Sequence, residues 1–193
     1  MDKKIIEIIG NSIGTKKSIM DSESLVSNIK LITEEIINAF QRGNKVLFCG
    51  NGGSAADAQH LAAEFSGRFF IDRKPLYSEA LHCNSSYVTA VANDYGYEKI
   101  FSRVLEGIGN QGDILVGIST SGNSKNITEA FKYANSNKII TIALLGANDG
   151  EMGKLANYKL NVPSTITPRI QESHILVGHI ICELTEKELF ENK

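Results

Sequence analysis

Tryptophan is absent from this chain, and proline and cysteine occur three times each among its 193 residues. The cysteines, Cys49, Cys83 and Cys182, are dispersed, odd in number and never spaced CxxC. Neither a disulfide framework nor a thiolate zinc site is implied, and a reducing cytoplasm is the expected setting. Long hydrophobic runs are missing as well: the longest, such as 139–145, have the length of a strand, and Asp2, Lys3 and Lys4 precede isoleucines that polar residues interrupt. A membrane span and an export leader are therefore not expected. Charge of one sign is also lacking, since 20 Lys and Arg against 22 Asp and Glu leave a net charge of −2. Nothing drives binding along nucleic-acid phosphates, and no nucleic-acid partner is expected.

What the chain has instead is glycine, 17 residues of it, placed within a regular alternation of elements. The first forty-odd residues carry helical spacing: Ile5, Ile6, Ile9 and Ile13 form one stripe, and Leu25, Ile29, Ile32, Ile36 and Phe40 recur every three or four positions until Gly43 and Asn44 end the pattern. Beyond Lys45, short apolar runs at 46–49, 114–118, 139–145 and 158–162 read as strands, with 76–81 a weaker candidate. Helices are expected between them at 55–66, 86–92, 99–105, 125–136 and 151–156, and a last one at 169–190, set apart by Pro163 and Pro168. Continuous apolar strands alternating with amphipathic helices predict an α/β fold, a doubly wound parallel sheet with helices on both faces. One domain spanning 1–193 is expected, of which 1–43 is a helical extension. With both sheet faces already covered, that extension is expected to pack against another subunit, the alternative being that it lies on its own domain.

Two glycine- and serine-rich turns follow two of the strands: Gly50-Asn51-Gly52-Gly53-Ser54 and Ser119-Thr120-Ser121-Gly122-Asn123-Ser124. Both belong at the carboxyl edge of the sheet, where ligands of doubly wound folds bind. The second runs straight into a helix, so hydroxyls and backbone N–H groups converge where an anion is favoured. Neither turn matches GxGxxG or GxxxxGK[ST], and the second has no lysine; a phosphate bound there is a handle rather than the reacting group. Each turn taken singly is also compatible with a plain turn and N-cap. Asp57, His60 and Glu64 share one helical face, and His60 and Glu64, four apart, can meet one ligand or simply each other. In the last helix Gln171 and His179 differ by about 80° in azimuth, enough to share a broad face. Gln171 could equally be a cap there, and His174 or His179 a core or surface histidine.

Four strings, CGNGGSAADAQHLAAEFSGRF (49–69), ALHCNSSYVTAVANDYGYE (80–98), VGISTSGNSKNI (116–127) and TPRIQESHILVGHIICELTE (167–186), resemble the phosphoheptose isomerases, bacterial members of the sugar-isomerase (SIS) fold group. The similarity spans nearly the whole chain. It implies isomerisation of sedoheptulose 7-phosphate to D-glycero-D-manno-heptose 7-phosphate through an enediol or enediolate, the first step towards nucleotide-activated heptose for lipopolysaccharide core or capsule. It also implies a cytoplasmic homotetramer whose sites lie between subunits, with one zinc per subunit. Carried onto this sequence, the zinc ligands are His60, Glu64, Gln171 and His179. Substrate contacts fall on Asn51, Gly52, Gly53, Glu64, Asn93, Asp94, Ser119, Thr120, Ser121, Ser124 and Gln171, with Arg68 and Asp57 in family-like strings. Glu64 and His179 become the proton-transfer pair, a carboxylate and an imidazole suited to that work near neutral pH. Competing expectations are isomerisation of another phosphosugar, a regulator that senses a sugar phosphate, and a relative of the replication-initiator-associating protein. The last two need the loops but not His60, Glu64, Gln171 and His179 together.

Overall fold

A computed structural model describes residues 1–191. Five strands, β1 (Val46–Gly50), β2 (Ser78–Ala80), β3 (Ile114–Ser119), β4 (Ile140–Leu145) and β5 (Tyr158–Asn161), form one sheet in the order β2-β1-β3-β4-β5. Every neighbouring pair is parallel, with Val46 opposite Ile114 and Ile114 opposite Ile140. Among the described residues eight α-helices surround it: α1 (Asp2–Met20), α2 (Glu23–Gln41), α3 (Gly53–Ser66), α4 (Ser85–Tyr95), α5 (Ile100–Ile108), α6 (Lys125–Ser136), α7 (Gly150–Leu155) and α8 (Thr167–Glu186). A short 3₁₀ turn, Tyr97–Lys99, precedes α5, and a π turn, Lys187–Glu191, extends α8.

The uninterrupted apolar strands follow from the two-sided burial. Val46 and Phe48, Ile114, Val116 and Ile118, and Ile142 and Leu144 face the core built with α2, α3 and α8. Their neighbours Leu47 and Cys49, Leu115, and Ala143 and Leu145 face the opposite core with α4 to α7. With a side-chain period of two, a strand covered on both faces has no polar side to show. From β1 the chain crosses first to β2 on one side and later to β3 on the other, so the strand order reverses between β1 and β3. Their carboxyl ends carry the two glycine-rich turns, the position at which such sheets open a crevice.

Expected boundaries hold to within a few residues, with one change of role. Pro168 does not set the last helix apart but sits in its first turn, where the missing N–H would have had no helical partner and the fixed φ suits the helix. The two leading helices also behave differently from each other. In α2, Ile29, Ile32, Thr33, Ile36 and Ala39 are buried under the sheet, so this helix belongs to its own domain's core. In α1 only Ile19 is buried, while Ile6 and Ile13 are 70% and 61% exposed. Helix α1 is nevertheless pinned to α8: the Ser12 hydroxyl donates to Glu172 at 2.7 Å, and Arg169 donates to the Ile8 carbonyl at 2.8 Å. No helix among the described residues is long and apolar enough to cross a membrane.

Candidate active site

Three donors from two helices converge beside the crevice. His60 and Glu64 lie one turn apart on α3, with His60 Nε2 3.0 Å from Glu64 Oε1. His179 of α8 brings its own Nε2 to 3.4 Å from the same His60 nitrogen, and one ligand atom from each residue lies within 4.8 Å of the others. A single imidazole nitrogen facing both a carboxylate oxygen and another imidazole nitrogen is an arrangement that a cation satisfies better than a shared proton. For a tetrahedral ion with ligands at 2.0–2.1 Å, the ligand-to-ligand edge is about 3.3 Å. The two short separations lie close to that edge, so His60, Glu64 and His179 fit a divalent metal ion with N and O ligands.

The fourth residue expected at this centre, Gln171, is half-buried in the second turn of α8 and is not a cap. Its side chain lies against the start of α3, so close that a Cβ placed on Gly53 would stand 2.5 Å from its Nε2. Gly53 is thus the space that lets α8 deliver Gln171 to the first glycine turn.

The C-terminal end of α3 is fastened separately. The Glu186 carboxylate accepts the N–H groups of Phe69, Phe70 and Ile71 at 3.0, 2.6 and 2.9 Å and the Arg73 guanidinium at 3.0 Å. Arg73 in turn donates to the carbonyls of Glu64 and Phe65. Burial works to raise the Glu186 pKa, but these donors outweigh it and hold the carboxyl below its ordinary range. This clasp ties α3, which carries Glu64, to α8, which carries His179. Nothing in the sequence pairs Arg73 with Glu186, more than a hundred positions away.

Across the crevice, the second turn ties its serine hydroxyls to one another and to its own backbone. Ser124 is the N-cap of α6, yet its side chain caps nothing; its Oγ pairs instead with Ser119 Oγ at 3.0 Å. Gly122 N–H reaches Ser119 Oγ at 3.2 Å, and Asn123 N–H reaches Ser121 Oγ at 3.2 Å. Gly122 sits at φ +67, and its carbonyl accepts Met152 N–H from α7 at 2.9 Å. A left-handed residue so close to the backbone of Asp149 has no room for a side chain. Held this way, Ser119, Ser121 and Ser124, with Thr120 between them in sequence, form a hydroxyl-rich rim before the N-terminus of α6, a place that favours a phosphate.

The remaining expected residues fall as follows. Asn93 and Asp94 are exposed at the end of α4, hydrogen-bonded to each other at 2.9 Å. They stand just before Tyr97, whose hydroxyl reaches Asn51 in the first turn at 3.0 Å. His174 is a core histidine: fully buried, Nε2 3.0 Å from the Leu145 carbonyl, with burial pushing its pKa down to about 4. Asp57 has a buried Oδ2 without a partner among the described residues, and burial, partly offset by His60, raises its pKa to about 6.

The SIS-domain family model matches residues 15–146, the stretch that carries both turns and the α3 pair. A phosphoheptose isomerase of Aneurinibacillus thermoaerophilus is 50% identical over 193 residues, covering 100% of this chain and 98% of the relative. The chain belongs to the phosphoheptose isomerase family. Phosphoheptose isomerase 2 of Campylobacter jejuni is 52% identical over 93% of this chain and 90% of its own length. The phosphoheptose isomerase structure from Neisseria gonorrhoeae superposes with a TM-score of 0.90 at 39% identity, covering 96% of this chain and 98% of that one. Likeness to the Aneurinibacillus thermoaerophilus relative runs the whole length of the chain, with α1 and α8 included.

Proposed function

We propose that this protein is a sedoheptulose 7-phosphate isomerase, converting the ketose to D-glycero-D-manno-heptose 7-phosphate. The observation that carries the reading is the convergence of His60, Glu64 and His179 across the crevice from a phosphate-type rim, in a chain 50% identical end to end to a phosphoheptose isomerase. A sugar-phosphate-binding module needs the rim but has no use for the triad. The product is the starting point for nucleotide-activated heptose of surface glycans, made in the cytoplasm.

Glu64 removes the proton from C1 of the ketose. Among the described residues its Oε1 alone is engaged, by His60, which leaves the second carboxylate oxygen for that task. His179 moves protons between the sugar oxygens and C2. Ser119, Thr120, Ser121 and Ser124 hold the phosphate, so binding energy remote from the reacting carbons orients them. Asn51, Gly52, Gly53, Asn93, Asp94 and Gln171 line the sugar. Zinc suits this N/O donor set, with Gln171 as the fourth ligand; bound there it would supply the Lewis acidity that polarises the carbonyl. The exposed Ile5, Ile6, Ile9 and Ile13 of α1 are the seam of a homotetramer whose sites lie between subunits.

The test is to incubate zinc-reconstituted protein with sedoheptulose 7-phosphate and follow the aldose anomeric signal by proton NMR. The expected result is net conversion. Binding of the phosphosugar without any aldose would replace the isomerase by a sensor.

A further inference from the structure

The side chain of Asn51 is held by a lock that reaches across the crevice. Asn126, 3% exposed in the first turn of α6, meets it amide to amide: Asn51 Nδ2 donates to Asn126 Oδ1 at 3.0 Å, and Asn126 Nδ2 donates to Asn51 Oδ1 at 2.8 Å. Such a pair taken alone reads the same with both amides turned over. Here the degeneracy is broken, because Asn126 Oδ1 also accepts the backbone N–H of Ile127 at 3.0 Å, and a backbone N–H can only donate. That fixes Asn126, and Asn126 fixes Asn51. The Tyr97 hydroxyl then donates to Asn51 Oδ1 at 3.0 Å, filling that oxygen's second lone pair. Of the four hydrogen bonds an asparagine amide can make, three are spent inside the protein, and the one left is a single Nδ2 hydrogen.

We infer that Asn126 and Tyr97 are positioning residues that lock Asn51 as a one-way hydrogen-bond donor to the substrate oxygen that gains negative charge during enolisation. The inference rests on the isomerase reading given above. Asn51 so held cannot serve as an acceptor, so it selects an electron-rich oxygen rather than a hydroxyl proton. A fixed donor to an oxygen whose charge rises strengthens on the way to the transition state and needs no reorientation. The same lock joins the turn after β1 to the helix after β3, so the sugar-facing and phosphate-facing loops keep one spacing.

The test is a pair of double-mutant cycles in the zinc-loaded full-length enzyme. Tyr97→Phe removes one hydroxyl, and Asn126→Asp keeps the acceptor for Ile127 and Asn51 but sets an oxygen against Asn51 Oδ1. Each is expected to lower kcat about tenfold with KM changed by less than about threefold. Either substitution made in an Asn51→Ala background is expected to cost no more than about twofold further. Losses that persist in that background, or that fall on KM alone, would overturn the inference. The lock is also read without turnover, as hydrogen exchange of the Asn51 side-chain amide in ¹⁵N-asparagine-labelled protein. One Nδ2 hydrogen is expected to be protected and the other not, with protection lost in both variants; two equally exposed hydrogens in the unmodified protein would contradict it. An inactive enzyme with this protection pattern intact would sink the isomerase reading and leave the lock standing.

Discussion

Glu64 carries the chemistry proposed for this site, and Glu64→Gln separates its roles. The amide keeps the shape and the contact with His60 but cannot take a proton, so kcat is expected to fall about 10²- to 10⁴-fold while phosphosugar affinity, read by calorimetry, changes little. Near-normal turnover would remove Glu64 from the proton path. His174 makes stability depend on pH. Its folded pKa, about 4, lies below the ordinary histidine value, so the unfolded chain binds the proton more readily. The stabilisation is complete above about pH 6.5 and is lost progressively as pH falls towards 4, by up to about 3 kcal/mol. Melting temperatures of the protein and of His174→Leu, compared between pH 7.5 and 4.5, should show the pH dependence reduced in the variant. Equal slopes would contradict the assignment.

Helices α3 and α8 act as one element because Arg73 and Glu186, each with a side chain 2% exposed, clasp them. Arg73→Met leaves the buried Glu186 carboxylate its three backbone donors but no cation, and the expected cost is about 3–5 kcal/mol in chemical denaturation; a loss below about 1 kcal/mol would mean the ion pair is dispensable. At this scale much was legible in the sequence. Strands β1, β3 and β4 announced themselves because a strand buried on both faces must be apolar throughout, and β2, three residues long at the sheet edge, was weak for the same reason. His60 with Glu64 followed from helical spacing. The meeting of that pair with His179 came only with the resemblance, since periodicity along one helix says nothing of the helix it packs on. Asn126, Tyr97, Arg73 and Glu186 stayed hidden because each acts through a partner distant in sequence. The one local signal was Asn126, a polar residue at the head of the buried stripe of Ile127, Ala130, Phe131 and Ala134. Pro168 reads as a boundary in sequence because proline is compatible both with a stop and with the first turn of a helix, where it lies.

For the whole molecule, the exposed isoleucines of α1 are the basis of the proposed assembly. Burying apolar side chains of this size is worth about 1.5–3 kcal/mol each, and repeated across a symmetric assembly this is ample to hold subunits together. Sedimentation equilibrium is expected to give four chains per particle, and Ile6→Glu with Ile13→Glu to dissociate it with loss of turnover; a monomer that is fully active would refute sites shared between subunits. Proton transfer through an enediolate is read by running the reaction in D₂O and following the aldose product by NMR and mass spectrometry. Glu64 and His179 exchange with solvent, so deuterium is expected at C2 of the heptose 7-phosphate. Product formed with hydrogen alone at C2, the mark of a direct shift from C1, would contradict it.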